Sequence, residues 1–161
     1  MKRNIFFAFA LLAAGTVFAA GTSGGSSGGS SGGATSMTRS PSSASDWYSL
    51  GYSAANAGKY EEAVTDFQKA ISLKSDYAEA YNMLGFCARK MGNVNGAFVY
   101  YETALKLKPN FPEAREYYGE AYLQEGNLAS AVQQYILLEK GHNKNAGELL
   151  ERIEEFVNKK S

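Results

Sequence analysis

The chain has 161 residues, 45% of them hydrophobic and 20% charged, with 16 basic side chains balanced by 16 acidic ones. That length suits one domain of ordinary size, and a net charge of +0 excludes the broad basic surface that nonspecific nucleic-acid binding needs. A single cysteine excludes an intramolecular disulfide, one cysteine with one histidine cannot build a usual structural zinc site, and eleven tyrosines with nine phenylalanines exclude a wholly disordered chain.

Residues 1–20 read as an export signal. Lys2 and Arg3 precede an apolar stretch from Ile5 to Ala14, and Val17-Phe18-Ala19 then supplies small residues where a signal peptidase reads, so cleavage is expected after Ala19 or Ala20. The rival reading is a permanent anchor. Ile5 to Ala20 is only 16 residues, short of the ~20 that a spanning helix needs. The sole cysteine, Cys87, lies far from the cleavage point, which argues against a lipid-anchored form. Without Lys2 and Arg3 the mature chain keeps 14 basic and 16 acidic residues, a net charge of −2, and no stable membrane anchor. Residues 21–43 are a Gly/Ser-rich linker whose side chains cannot offset the entropy of ordering the backbone. Such a flexible coil spans about 25–30 Å on average. It could hold the folded part off a surface as a tether, but a composition that specifies no partner favours a passive spacer, and its Ser-Ser-Gly-Gly repetition also resembles an engineered linker.

From residue 44 the chain repeats itself at a shift of 34. Trp47, Tyr81 and Arg115 share one slot, and Leu50-Gly51, Leu84-Gly85 and Tyr118-Gly119 share the next. Gly58, Gly92 and Gly126 recur, then Ala63, Ala97 and Ala131, then Phe67, Tyr101 and Tyr135, then Ala70, Ala104 and Leu138. Each copy reads as two helices joined by a turn. In the second, Tyr81, Leu84, Gly85 and Ala88 have the spacing of one helix face. Gly92 is expected in the left-handed region at the turn, Asn93 as the cap of the next helix, and Ala97, Tyr101, Ala104 and Leu105 as its inner stripe. Pro109 ends that helix and Pro112 suits the first turn of the one after. Small Gly85 and Ala97 allow close approach, while Tyr81 and Tyr101 fill the space between the helices.

These slots resemble the tetratricopeptide repeat: an aromatic, Leu-Gly, Tyr, Ala, an aromatic, Ala and Pro. The second copy meets the pattern closely. The first departs at Ala54 and Ser75, and the third at Arg115 and Leu138, with no proline near Asn143. The expected fold is therefore all-α, an α-solenoid of three helix-turn-helix tetratricopeptide repeats at 44–77, 78–111 and 112–143, plus a C-terminal capping helix over 144–161. In that last helix Asn145 is expected as the cap with Glu148 completing a capping-box-like arrangement. Leu149, Leu150, Ile153, Phe156 and Val157 form the dry stripe. An acidic polar face argues against a membrane-surface helix.

Little chemistry is found. Cys87 sits on a tightly packed first helix and His142 in a later turn, so a nucleophile with its base is not indicated. The linker serines have no fixed geometry for a triad, and the glycines at Gly92 and Gly96 belong to a repeat turn rather than a phosphate loop. No catalytic, cofactor or metal constellation emerges. The expectation is a protein that is not an enzyme.

Binding remains. The resemblance implies that first helices of successive repeats line a concave groove. By slot this gives Tyr48, Tyr52 and Asn56, then Asn82, Phe86, Arg89 and Lys90, then Glu116, Glu120, Leu123 and Gln124. An extended peptide is expected to stack on Tyr48, Tyr52 and Phe86 and to place a carboxylate on Arg89 or Lys90. The competing reading is that Glu116 and Glu120 simply pair with Arg89 and Lys90, for which exposed ion pairs contribute about 0–1 kcal/mol. A subset of the family clamps a C-terminal carboxylate of chaperones with lysine and asparagine in set slots. Here those slots hold Tyr48, Tyr52, Met83, Glu113 and Tyr117, so no such clamp is implied. The expected function is a non-catalytic adaptor or scaffold in the bacterial cell envelope, binding a protein or peptide partner. The alternative is a structural protein that assembles with copies of itself, as a homo-oligomer; an enzyme ranks last.

Overall fold

Helix stops and starts recur at fixed intervals because the residues that impose them do. A computed structural model of the protein describes residues 40–160; the expected signal peptide at 1–20 and the linker up to residue 39 lie outside the described residues. The described residues form seven helices and no strand: α1 (Ala44–Asn56), α2 (Tyr60–Leu73), α3 (Ala78–Lys90), α4 (Val94–Leu107), α5 (Pro112–Glu125), α6 (Leu128–Lys140) and α7 (Asn145–Lys160). Ser43 opens α1 with a capping box: its hydroxyl accepts from the Asp46 amide at 3.1 Å, and the Asp46 carboxylate accepts from the Ser43 amide at 3.0 Å. Asn93 and Asn127 cap α4 and α6 by accepting from Gly96 N and Ser130 N. Pro112 stands in the first turn of α5, as its sequence position predicts.

Three turns are closed by glycines with positive φ, Gly58 at 76°, Gly92 at 85° and Gly126 at 86°. The turn after α6 has the same hydrogen bonds, with His142 N donating to Glu139 O and Asn143 N donating to Leu138 O. Here the left-handed residue is His142, at φ 50°, rather than Gly141. The cap of α7 also differs from expectation. Asn143 accepts from the Asn145 amide at 3.0 Å, whereas the buried Asn145 side chain turns inward and donates to Glu116. Asn145 is therefore a contact between α5 and α7, not the cap.

Packing follows the small residues. Phe67 and Tyr101 are fully buried, each seated against the glycine of its own repeat, Gly51 and Gly85. Ala63, Ala97, Ala131, Ala70 and Ala104 are all at 0% exposure, which lets the paired helices approach closely. The third repeat breaks the pattern. Tyr135 stays only half-buried, and the side chain over Gly119 is Leu149 of α7. The last helix lies against both α5 and α6, and its Ala146, Leu149 and Ile153 share a core with Leu123, Ala131 and Leu138. Along the array α1 touches α3 and α3 touches α5, whereas α2, α4 and α6 do not touch one another. The first helices therefore lie on the inner, concave side. No described helix is long and apolar enough to cross a membrane.

Candidate functional site on the concave face

Each of α1, α3 and α5 spends one stripe on the core and turns another toward the concavity. In α1, Tyr48 is half-buried, with its ring 5.1 Å from Tyr77, 5.6 Å from Phe67 and 6.2 Å from Tyr52. Burial, and then the neighbouring Tyr77, push its hydroxyl pKa up to about 12, so Tyr48 remains a neutral hydrogen-bonding phenol. Tyr52 is 47% exposed and Asn56 is exposed, so both are open to a partner.

In α3 the residues divide. Lys90 is exposed, with its Nζ 5.4 Å from the Phe86 ring centre. Phe86 itself is half-buried between Tyr117 at 5.5 Å and Tyr60 at 6.2 Å, so it braces α2, α3 and α5 rather than standing free. Asn82 and Arg89 are buried at 4% and 9% exposure, which corrects their placement as open groove residues. The Asn82 Oδ1 and Arg89 Nε atoms have no hydrogen-bond partner among the described residues.

Of the four expected groove residues in α5, Glu116 and Leu123 are likewise buried, Glu120 is partly buried and Gln124 is exposed. The sequence alternative of intramolecular pairing is realised for one carboxylate. Glu120 Oε2 lies 2.5 Å from Arg89 Nη2, with side chains only 16% and 9% exposed, and its other oxygen is 3.6 Å from Arg152 Nε of α7. Glu116 points instead to Asn145. The repeat slots did not reveal Arg152, Phe156 or Lys159, which join Arg89, Lys90, Glu120, Leu123 and Gln124 around a cleft of about 470 Å³. A signal for them existed: Arg152 and Lys159 stand four residues before and three after Phe156 of the dry stripe, on the same side of α7.

Burial raises the Glu116 pKa to about 7, opposed by the Asn145 hydrogen bond and reinforced by Glu148 and Glu120. The folded state thus holds this proton more tightly than the unfolded chain. Its contribution to stability is complete below the ordinary carboxylate range and is lost as pH rises toward 7. Glu116→Gln is expected to flatten the stability profile between pH 4.5 and 7 by about 1–3 kcal/mol, read by urea denaturation across that range. An unchanged profile in the variant removes Glu116 as the titrating group.

Cys87 is fully buried, and that burial raises its thiol pKa to about 12, which leaves it protonated and unreactive at neutral pH. His142 is exposed in the turn after α6. No group of three or more His, Cys, Asp or Glu that could hold a metal occurs among the described residues.

Family models of the tetratricopeptide repeat match residues 51–87, 78–111 and 100–133. Among solved structures, MamA is 32% identical over 68% of this chain, with a TM-score of 0.55; this chain spans 60% of that one. The Yersinia enterocolitica type III secretion chaperone SycD, in complex with a peptide of the translocator YopD, is 26% identical over 71% of this chain and 88% of its own, with a TM-score of 0.62. The first repeat domain of Spaghetti, bound to an HSP90 peptide, covers 71% of this chain and 93% of its own at a TM-score of 0.62, and at 20% identity shares the fold alone. No curated protein matches the chain in sequence. Residues 51–133, just over half of the sequence, are a run of tetratricopeptide repeats, and the protein is a tetratricopeptide-repeat protein.

Proposed function

We propose that this protein is a non-catalytic adaptor, exported to the bacterial cell envelope, that holds an extended segment of a partner protein on the concave face of α1, α3 and α5. The observation that carries the reading is the set of inner-face side chains left over from packing. Tyr52, Asn56, Lys90 and Gln124 remain exposed, and Tyr48, held against Tyr77 and Phe67, sets a fixed aromatic ring beside Tyr52. The 26% identity to SycD, solved with a YopD peptide, supports a peptide as the ligand. The order of charged, apolar and small residues in 1–20 supports export.

Crosslinking pull-down from intact cells, read by mass spectrometry, tests the reading. Tyr52→Ala is expected to reduce partner recovery about tenfold, equivalent to about 1.4 kcal/mol, with unchanged helicity. Equal recovery by wild type and variant removes the groove assignment. Phe86→Ala is a poor probe because it also removes a brace between three helices. Export is tested separately by N-terminal sequencing of the mature protein, which should begin at Ala20 or Gly21.

Self-assembly is the second reading, favoured by Leu50, which is 44% exposed on α1 at the rim of a shallow cleft lined also by Ala54 and Ala57. Sedimentation over a range of concentrations separates the two, since a monomer at high concentration counts against self-assembly.

A further inference from the structure

We propose that α7 is a binding element as well as a cap: with α3 and α5 it forms a basic cleft that takes an acidic segment of a partner protein, with one apolar side chain between two carboxylates. This rests on the reading of the concave face as a peptide site and names the chemistry of its C-terminal end.

The charges around the cleft do not cancel. Its lining sets Arg89, Lys90, Arg152 and Lys159 against Glu120 and Glu155, and Glu151 acts on Arg152 from outside the lining. Both lining carboxylates are already engaged, Glu120 with Arg89 at 2.5 Å and with Arg152 at 3.6 Å, and Glu155 with Arg152 at 3.1 Å. Lys90 and Lys159 are exposed and have no carboxylate partner among the described residues, leaving two cations on opposite walls, one from α3 and one from α7. The whole chain has a formal net charge of +0, so this surplus is a local segregation of charge rather than a general basicity. Between the walls Leu123 and Phe156 give an apolar floor.

Arg89 adds an independent sign of a built site. It is nine-tenths buried in the wall of the cleft, is held by Glu120, and keeps its Nε hydrogen without an acceptor among the described residues. Glu120 offsets most of the Arg89 charge, so the positive surplus rests on Lys90 and Lys159, while the unspent Nε donor marks a wall of the cleft with a hydrogen bond left unmade. A ligand that places carboxylates on Lys90 and Lys159 and an aliphatic or aromatic group on Leu123 and Phe156 satisfies all of these features together. A basic segment meets only repulsion.

The test uses the full chain and a fluorescein-labelled eight-residue peptide with two glutamates flanking a leucine in a Gly/Ser background. Counterparts carry glutamine or lysine at the glutamate positions. Fluorescence anisotropy in low salt is expected to show binding of the glutamate peptide only, weakened at least tenfold by the paired substitution Lys90→Glu and Lys159→Glu, and weakened likewise at 300 mM salt, where the Debye length falls to roughly 6 Å. Both lysines are exposed, so the variant should keep its helicity by circular dichroism. Lys106→Glu, a matched charge reversal at an exposed lysine of α4 away from the cleft, should leave this probe's affinity unchanged. Equal binding of the glutamate and glutamine peptides, or full binding by the lysine-reversed variant, overturns the proposal. Concentration-dependent self-association abolished by the lysine reversal also overturns it, because the occupant is then a second copy. Partner capture that is lost in Tyr52→Ala but kept in the lysine-reversed variant rejects the cleft and leaves the wider groove reading standing.

Discussion

Gly85→Ala is expected to destabilise the protein by about 2–4 kcal/mol, measured as a shift in urea midpoint at constant m-value. An ideal β-carbon at residue 85 would lie 2.6 Å from Tyr101 Cε1, with two further ring atoms inside 3 Å. Tyr101 is fully buried and cannot swing aside into solvent. Either α3 and α4 separate or the ring leaves its rotamer, and each response propagates into a core packed at crystal-like density. Gly92 supplies the contrast. A β-carbon there meets nothing within 4 Å, so Gly92→Ala carries only the backbone cost of a φ of 85°, about 1 kcal/mol. If the Gly85 variant is the milder of the two, the close approach of α3 to α4 is wrong.

Leu149→Ala should cost a similar amount, roughly 2–5 kcal/mol. Leu149 has no exposure and covers Gly119, filling the place that Phe67 and Tyr101 fill in the earlier repeats. Truncation leaves a void where three helices meet, and α5 cannot close it without losing its own seat on α6. In an array whose units touch only their neighbours the damage stays local. Hydrogen exchange should accordingly rise most in α5, α6 and α7 and least in α1 and α2. A uniform rise along the chain would falsify the cap as a local lock and argue for one fully cooperative unit.

Much of this architecture was written in short-range signals. Glycines at a fixed interval, Asn93 before a helix, Pro112 at the start of another and apolar residues three and four apart each act within a turn or two of their own position. A single sequence displays them directly. The concave face was legible only in outline, because which of its side chains stay open depends on the neighbouring helices. Asn82, Arg89 and Glu116 occupy slots that point inward, yet packing buries all three. Phe86 fits a ligand platform in sequence but acts as a brace, because Tyr60 and Tyr117 arrive from other helices. Asn145 looked like a cap because Glu148 follows it at the spacing of a capping box. Its long-range hydrogen bond to Glu116, 29 residues away, decides the matter and has no local signature. The left-handed His142 was hidden by the adjacent Gly141, the residue that ordinarily takes that conformation.

The seating of α7 across α5 and α6 also gives the solenoid a direction. The faces of α5 and α6 that would receive a further helix are already covered by α7. Head-to-tail polymerisation requires two complementary ends, and this array offers no receptive one at α6. A second copy therefore cannot stack its first helices directly on α5 and α6, and copies that associate must meet through other surfaces.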